Sequence, residues 1–217
     1  YAYMNGPLVI LSMMRGASEL LADCEKNADD VGVATAALSE MLVRFGKALA
    51  DVCDGVFMDT SFASQSFCKK EAWEKLEGKH VGNIAKAVKD AGKVFGVVND
   101  GFGPYFDQMI KTMEPNVIAN AYLPDDCGSM EEMKKNWVEA RDPNSAGLTY
   151  TCAMGMVSGR MLYSGTPEEI HEEVKKEFSA LDGKGGFICS SGGEFPPDGD
   201  LNNGTHIVDA SKMYCTY

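Results

Sequence analysis

The stretch Asp54-Gly-Val-Phe-Met-Asp59 is a short apolar run that ends in a polar loop, and it decides the fold class together with the residues that follow it. A helical pattern then runs from about Lys69 to Lys89, and a second apolar run follows at Val94–Val98. A strand, a helix and a strand in this order predict parallel strands covered by helices.

The same alternation extends over the whole chain. Six strands are predicted, at Leu8–Ser12, Asp54–Asp59, Val94–Val98, Asn116–Ala119, Leu148–Cys152 and Gly186–Cys189. Helices are predicted at Ser18–Glu25, Ala28–Ala50, Lys69–Lys89, Tyr105–Met113, Met130–Glu139, from Thr166 to about Gly183, and from about Asn203. The alternation predicts one α/β domain over residues 1–217.

Two of the helices carry more specific signals. Thr166-Pro-Glu-Glu169 combines an N-cap threonine, a proline in the first turn and a glutamate that completes a capping box. Ile170, Val174 and Phe178 are predicted to face inward from the helix that starts there. In the helix Ala28–Ala50 the apolar face is predicted from residues at helical spacing, namely Leu38, Met41, Leu42, Phe45 and Leu49.

Composition and charge narrow the classes of partner. The net charge of −12 and the pI near 4.7 disfavour binding to nucleic acid or to an anionic membrane surface. The sequence contains no run of eighteen apolar residues, the length that a membrane-spanning helix needs, so no membrane span is predicted. A small-molecule substrate or a protein partner is therefore expected, and a homo-oligomer stays open.

Seven scattered cysteines without a CxxC pair are typical of a reducing compartment, so the protein is predicted to be cytoplasmic. The first residues, Tyr1-Ala-Tyr-Met-Asn-Gly-Pro7, lack the regions of a secretory signal and an initiator methionine, which suggests missing upstream sequence.

Four stretches, in order and at suitable spacing, resemble the uroporphyrinogen decarboxylase (URO-D) superfamily. They are Gly6-Pro-Leu-Val-Ile-Leu-Ser-Met-Met-Arg-Gly16, Asp54–Asp59 with its Ser/Ala loop, Gly155 to Gly165-Thr-Pro-Glu-Glu169, and Gly186-Phe-Ile-Cys-Ser-Ser-Gly-Gly-Glu-Phe-Pro-Pro-Asp198. The resemblance implies a TIM-barrel-like (β/α)8 fold of URO-D type. A closed barrel uses about 250 residues, so the chain is expected to be incomplete at its N-terminus, an open variant, or completed by another chain.

The decarboxylase branch of the superfamily uses a tyrosine after the first motif strand and a histidine in the last loop. The resemblance places Met13 at the tyrosine and Gly192 or Gly193 near the histidine. Neither methionine nor glycine can replace those polar groups, so decarboxylation of a porphyrinogen is disfavoured. The branch also uses arginines from a stretch upstream of this chain.

The methyltransferase branch moves a methyl group to or from a corrinoid protein or a thiol and uses zinc as a Lewis acid. The resemblance places Val97, Asn99 and Gly193 at the usual zinc ligands. Zinc is thus a candidate cofactor without its usual ligands, and a corrinoid would be brought by a partner protein. The metal ligands are left unknown.

Polar residues remain at the predicted carboxyl ends of strands, where barrel enzymes keep their sites. Asp59, Asp100 and Glu194 are the predicted catalytic residues, as general acids and bases or as an oxygen-rich metal site. The predicted substrate-binding residues are Met13, Arg15, Ser61, Asn99, Met156 and Ser191. The three acidic residues are expected to face a common mouth. The alternative is that Asp59 and Asp100 cap helices or hold loops, and that Glu194 is part of the loop structure.

Other reactive side chains receive structural interpretations. Cys189 lies inside an apolar run and is interpreted as a core thiol. His80 and His171 lie on charged helices and are predicted at the surface, and His206 lies beyond the usual site loop.

Three functions remain open from the sequence. The favoured one is a methyltransferase that serves a corrinoid protein or a thiol. The others are a decarboxylase-type lyase and a non-catalytic relative that binds a ligand or a partner.

Overall fold

The computed structural model describes residues 1–120, 132–136, 151–180 and 186–215. The chain divides into two compact units: the described part of the first is Tyr1–Val117, and that of the second begins at Ile118. The single domain over residues 1–217 therefore stays a prediction.

The first unit alternates strands and helices. Its strands are β1 (Ala2–Asn5), β2 (Gly55–Asp59) and β3 (Val94–Val98). A further strand, β4 (Val117–Ala119), begins at the last described residue of this unit. Its helices are α1 (Pro7–Arg15), α2 (Ala17–Lys26), α3 (Ala28–Val52), α4 (Lys70–Trp73), a π-helical turn (Glu74–Gly78), α5 (Lys79–Asp90) and α6 (Phe106–Met113).

Parallel pairing brings the carboxyl ends of β1, β2 and β3 to one edge. Asn5 lies beside Asp59 in the pairing of β1 with β2, and Asp59 lies beside Val98 in the pairing of β2 with β3. The interior of these strands is apolar, with Val56, Met58 and Val97 fully buried. The polar residues that follow the strands are thereby collected at the same edge.

The prediction of a strand at Leu8–Ser12 is wrong, because Pro7–Arg15 forms helix α1 and the strand lies before it at Ala2–Asn5. A short apolar run does not distinguish a buried strand from a buried helix by periodicity. Pro7 occupies the first turn, where its missing N–H costs little. The next amide, of Leu8, donates to the distant Glu77 carboxylate, which is a contact that no local pattern shows.

Helix α3 buries a different face from the one predicted. Leu42 is buried, but Met41 and Phe45 are 43% and 47% exposed. The buried stripe instead consists mostly of small residues, namely Val31, Thr35, Ser39, Leu42, Gly46 and Ala50. Such residues allow α5 to approach closely: a Cβ on Gly46 would lie 3.4 Å from Val88 Cγ2.

The single helix predicted from Lys69 to Lys89 is interrupted by the π-helical turn Glu74–Gly78. The turn presents Leu76, Glu77 and Gly78 to the interior, and the Trp73 side chain just before it is fully buried. Such π turns inside helices are frequent at functional sites, since the extra residue redirects the side chains around it.

The second unit contains β5 (Cys152–Met154), α7 (Gly159–Ser164), α8 (Pro167–Ala180), β6 (Phe187–Ile188) and α9 (Leu201–Tyr214). Strands β5 and β6 are parallel, with Ala153 beside Phe187. The core of this unit is formed by Val157, Leu162, Ile170, Val174, Ile207 and Ala210.

The predicted capping box at the start of α8 is confirmed. The amide of Thr166 donates to Glu169 Oε2 at 2.9 Å, and the amide of Glu169 donates to Thr166 Oγ1 at 3.2 Å. Ile170 and Val174 are buried as predicted, whereas Phe178 is only half-buried.

Some predicted elements lie partly outside the described residues. Residues 132–136 are helical within the predicted helix Met130–Glu139, and the rest of that helix is outside them. Residues 148–150 of the predicted strand Leu148–Cys152 also lie outside the described residues. The predicted end, near Gly183, of the helix that starts at Thr166 lies outside them as well. Among the helices in the described ranges, none has the length and apolarity that a membrane crossing needs.

Candidate functional site

Asp59, at the carboxyl end of β2, is the centre of a hydrogen-bonded group in the first unit. Its Oδ1 accepts from the Ser61 amide at 2.8 Å and from Ser61 Oγ at 2.6 Å. Its Oδ2 accepts from the Tyr3 hydroxyl at 3.0 Å. The residue is only 9% exposed, so these three donors hold the carboxylate in a defined position.

Ser61 connects Asp59 with Asp100. The Asp100 amide donates to Ser61 Oγ at 3.2 Å, while the Asp100 side chain is exposed. Two of the predicted catalytic residues and one predicted substrate-binding residue are therefore neighbours. Whether Asp59 and Asp100 act chemically stays a prediction, and the hydrogen bonds of Asp59 equally suit the structural interpretation.

Asn99 ties the β2 and β3 loops together. Its amide nitrogen donates to the carbonyl oxygens of Thr60 at 2.8 Å and Ala63 at 3.3 Å, and its Oδ1 accepts from the Gly101 amide at 2.9 Å. The side chain is fully buried. Contact between Asn99 and a substrate stays a prediction, since these bonds already occupy its amide group.

Tyr3 is a site residue that the sequence interpretation missed, because β1 was placed too late in the chain. Its ring is 54% exposed and its hydroxyl reaches Asp59 from the neighbouring strand. Tyr3 also lines a cavity of about 450 Å³, together with Met4, Asn5, Ile10, Met41, Leu42 and Phe45. This β1 cavity is mostly apolar and lies within the size range of small-molecule pockets.

Met13 and Arg15 lie on the last turns of α1. Met13 is 68% exposed, and its sulfur lies 3.8 Å from Asn5 Nδ2. Arg15 Nε is 3.0 Å from Asp23 Oδ2, an exposed ion pair that contributes little stability. Their predicted contacts with substrate stay predictions.

Glu77 is a second residue that the sequence interpretation missed. It has no exposed surface, its Oε1 accepts from the Leu8 amide at 2.8 Å, and its Oε2 accepts from Trp73 Nε1 at 2.7 Å. Burial raises the pKa of Glu77 to about 7, and the nearby charge of Asp59 acts in the same direction. A glutamate inside a charged helix is normally predicted to be solvent-exposed. The one signal for the burial of Glu77 in the sequence is Trp73, four residues earlier.

The predicted residues of the second unit are placed at the ends of β5 and β6. Val157, next to Met156, forms a parallel bridge with Ser191, and the Gly192 amide donates to the Val157 carbonyl oxygen at 2.8 Å. Met156 is buried, and Glu194 is exposed. A role for these residues, and a common mouth for Glu194 with Asp59 and Asp100, stay predictions.

The residues at the superfamily's zinc positions do not fit zinc. Val97 is an apolar residue buried in β3, the Asn99 amide is engaged by three backbone groups, and Gly193 has no side chain. Across the part of the chain that the structure describes, no group of three or more His, Cys, Asp or Glu residues could hold a metal ion. No metal enters the chemistry proposed below.

Glu177 on α8 is a further buried carboxyl group. It has no exposed surface, and within the described ranges neither of its oxygens has a hydrogen-bond partner. Burial raises the pKa of Glu177 to about 9. Cys189 packs against the core of the second unit, as its interpretation as a core thiol predicts, and burial raises its pKa to about 12.

Comparison with known proteins gives a family and a fold. A family model described as uroporphyrinogen decarboxylase (URO-D) matches residues 1–214. A solved methyltransferase from Methanosarcina mazei superposes with a TM-score of 0.75 at 18% sequence identity, over 99% of this chain and 58% of its own. No curated protein sequence matches the chain significantly. The α/β fold with parallel strands is thus consistent with a partial barrel of URO-D type, as predicted.

Proposed function

Because the chain belongs to the uroporphyrinogen decarboxylase family, we propose that it acts as a methyltransferase of this family. In the proposed reaction a methyl group passes between a small methylated donor and an acceptor, either a thiol or a corrinoid protein. The chain spans 58% of the length of the Methanosarcina methyltransferase that it superposes on, so the proposal concerns the site that these residues form.

The observation that carries this proposal is the loss of the decarboxylase side chains. Met13, at the place of the decarboxylase tyrosine, is 68% exposed on α1. Gly192, near the place of the histidine, is buried and donates its amide to Val157. Neither position supplies a group that could give or take a proton, and decarboxylation requires one.

The β1 cavity and Asp59 together suit a small, partly apolar donor. The cavity walls are mainly Met, Ile, Leu and Phe side chains, and Tyr3 links them to the Asp59 carboxylate through its hydroxyl. Asp59 does not line the cavity itself, so the negative charge lies behind the Tyr3 hydroxyl. An apolar cavity with this polar group favours a ligand with a positive charge or a hydrogen-bond donor at one end. A methylated amine combines both features.

The chemistry assigned to this chain is positioning and proton transfer. With a thiol acceptor, the sulfur forms a bond to the methyl carbon while the bond from that carbon to the donor heteroatom breaks. The proton of the thiol passes to the departing heteroatom, and Asp59 or the exposed Asp100 is the group proposed to carry it.

The test is a methyl-transfer assay on the purified chain with methylated amines or aryl methyl ethers as donors. A thiol or a reduced corrinoid protein serves as acceptor, with and without added zinc. Asp59→Asn is expected to lower the rate at least about 100-fold, in the range typical of removing a general acid or base. Glu172→Gln, an exposed change on α8, is the matched control and is expected to keep the rate. The absence of transfer from every donor under all of these conditions overturns the proposal.

A non-catalytic relative is the second candidate, and the replacement of the zinc ligands by Val97 and Gly193 favours it. It predicts that donors or porphyrinogens bind without turnover. Calorimetric binding at the β1 cavity, abolished by Phe45→Glu and accompanied by no product, would select it over the methyltransferase.

A further inference from the structure

Glu77 lies between the start of helix α1 and the end of strand β2, which carries Asp59. It projects from the π-helical turn and accepts from the Leu8 amide in the first turn of α1. On the other side, the Gly6 amide donates to the carbonyl oxygen of Asp59 at 2.9 Å. One buried carboxyl group therefore adjoins both the start of α1 and the end of β2.

We propose that Glu77 is a positioning residue of the candidate site, which fixes the start of α1 against the strand end carrying Asp59 and whose charge is coupled to that of Asp59. The proposal concerns the same site as the proposed methyl transfer, but it does not depend on that reaction.

The first support is the way in which α1 begins. The first amides of a helix lack partners within the helix, and a negative group there also interacts favourably with the helix dipole. Gly6, which precedes α1, has no side chain to provide a cap, and Pro7 has no amide hydrogen. Glu77 satisfies the next amide, of Leu8, from a different element. The cap is therefore tertiary, and the position of α1 depends on that of Glu77.

The second support is the close packing around Gly6. A Cβ at this position would lie 2.5 Å from the Asp59 carbonyl oxygen and 3.1 Å from Glu77 Oε1. The backbone at Asp59 and the Glu77 carboxyl group therefore approach the same point. Displacement of Glu77 would disturb the end of β2 without any change to Asp59 itself.

The third support is the electrostatic environment. Burial raises the pKa of Glu77 to about 7, the bonds from Leu8 and Trp73 oppose this rise, and the charge of Asp59 adds to it. Two buried thiols among the described residues also interact with Glu77, and burial raises their pKa values, so they stay neutral. They are Cys24 on α2 and Cys68 before α4. On its own turn, Lys75 is exposed and paired with Asp29. Within the described ranges, Asp59 is thus the charged group whose interaction raises the pKa of Glu77.

Trp73 offers a direct signal for the test, because its indole N–H donates to Glu77. The chain has two tryptophans, and Trp137→Phe leaves Trp73 as the reporter. In this background the emission of Trp73 is expected to titrate with a midpoint near pH 7. Glu77→Gln is expected to abolish the titration. Glu177→Gln, which changes the other glutamate that is fully buried in the described part of the chain, is the matched control and is expected to keep it.

The coupling to Asp59 is tested by Asp59→Asn in the same background. Removal of the neighbouring negative charge is expected to move the Trp73 midpoint down by about half a pH unit or more. This variant retains Glu77, so the coupling between the two charges can be tested even if Glu77→Gln does not fold.

A flat emission profile between pH 5 and 9, or a titration that survives Glu77→Gln, overturns the positioning role. An unchanged midpoint in Asp59→Asn overturns the coupling. A titration that behaves as expected, with no methyl transfer in the assay above, refutes the proposed reaction and leaves the role of Glu77 standing.

Discussion

The hydroxyl of Tyr3 donates to Oδ2 of Asp59 across 3.0 Å, from the first strand to the end of the second. Asn5, two residues after Tyr3, is the partner of Asp59 in the strand register. The Tyr3 ring lines the β1 cavity, so this bond connects the cavity wall to the carboxylate. Tyr3 thus brings a phenol group into the candidate site. The position that corresponds to the tyrosine of the superfamily's decarboxylases is instead occupied by Met13.

Tyr3→Phe removes this hydroxyl and keeps the ring. Because the side chain is 54% exposed, water replaces part of the lost bond, and we expect the free energy of unfolding to fall by only about 1 kcal/mol. The methyl-transfer rate is expected to fall more than this change in stability implies, since Asp59 loses the donor that connects it to the cavity. Urea denaturation and the transfer assay measure the two effects.

Tyr163→Phe is the matched control for Tyr3→Phe. Tyr163 lies on α7 and is 56% exposed, and no hydrogen bond of its hydroxyl is found within the described ranges. The control is expected to change neither stability nor rate. Equal effects of the two substitutions would show that the bond between Tyr3 and Asp59 has no role in the site.

Asn99→Ala is expected to separate a structural role of this residue from a substrate-binding role. The change removes the buried acceptor of the Gly101 amide and one of the donors to the Thr60 and Ala63 carbonyl oxygens, which keep their bonds from the Ala63 and Tyr105 amides. A loss of about 3 kcal/mol in the free energy of unfolding follows, as is typical for a buried polar network that loses one member. Asn202→Ala, at an exposed amide in the first turn of α9, is the control and should cost well under 1 kcal/mol.

A role of Asn99 in substrate binding alone would leave the stability of Asn99→Ala close to that of the native chain. In that case the Michaelis constant for the donor would rise while the denaturation midpoint stayed in place. That outcome would contradict the structural role.

Much of the fold follows from local sequence patterns. Strand β3 has the predicted bounds, Val94–Val98, and the capping box Thr166–Glu169 forms as its residue types require. These features depend on neighbours in sequence, namely the apolar run itself and side chains three residues apart. Local reasoning is therefore sufficient for them.

The parts that sequence reasoning missed depend on distant partners. Helix α1 is capped by a carboxyl group 69 residues further along the chain, so its residues alone could not show that they form a helix. On α3, the close approach of α5 selects Gly46 for burial and leaves Phe45 exposed. In the candidate site, Asp59, Ser61 and Asp100 were expected from strand ends, whereas Tyr3 and Glu77 reach the site only through the tertiary fold.

Glu177→Gln is expected to stabilise the protein increasingly as the pH rises. The pKa of Glu177 is about 9 in the folded chain and near 4.5 when exposed, so the folded state holds a proton that the unfolded state releases. The contribution of Glu177 to the free energy of unfolding is fully present below pH 4.5 and is lost as the pH rises towards 9. Between pH 5 and 8 the difference between Glu177→Gln and the native chain should grow by about 3–4 kcal/mol.

Urea denaturation at several pH values measures this difference, with the exposed Glu172→Gln as the control. The control should run parallel to the native chain at every pH. A constant difference between Glu177→Gln and the native chain would mean that folding does not raise the pKa of Glu177, which would contradict the prediction.

Gly82→Ala and Gly32→Ala are expected to change stability in opposite directions, although both place the same methyl group in the interior of a helix. A Cβ at Gly82 on α5 would lie 2.8 Å from the carbonyl oxygen of Thr112, whose backbone cannot yield easily. At Gly32 on α3 the nearest neighbour is Leu76 Cδ2 at 3.9 Å, an ordinary contact. Gly32→Ala should therefore gain the helix propensity of alanine, about 0.5–1 kcal/mol. Gly82→Ala should lose about 1–3 kcal/mol, because α6 must shift away from α5. Paired urea denaturation curves check the signs, and a stabilised Gly82→Ala would show that α5 and α6 are not held as closely as the Gly82–Thr112 approach indicates.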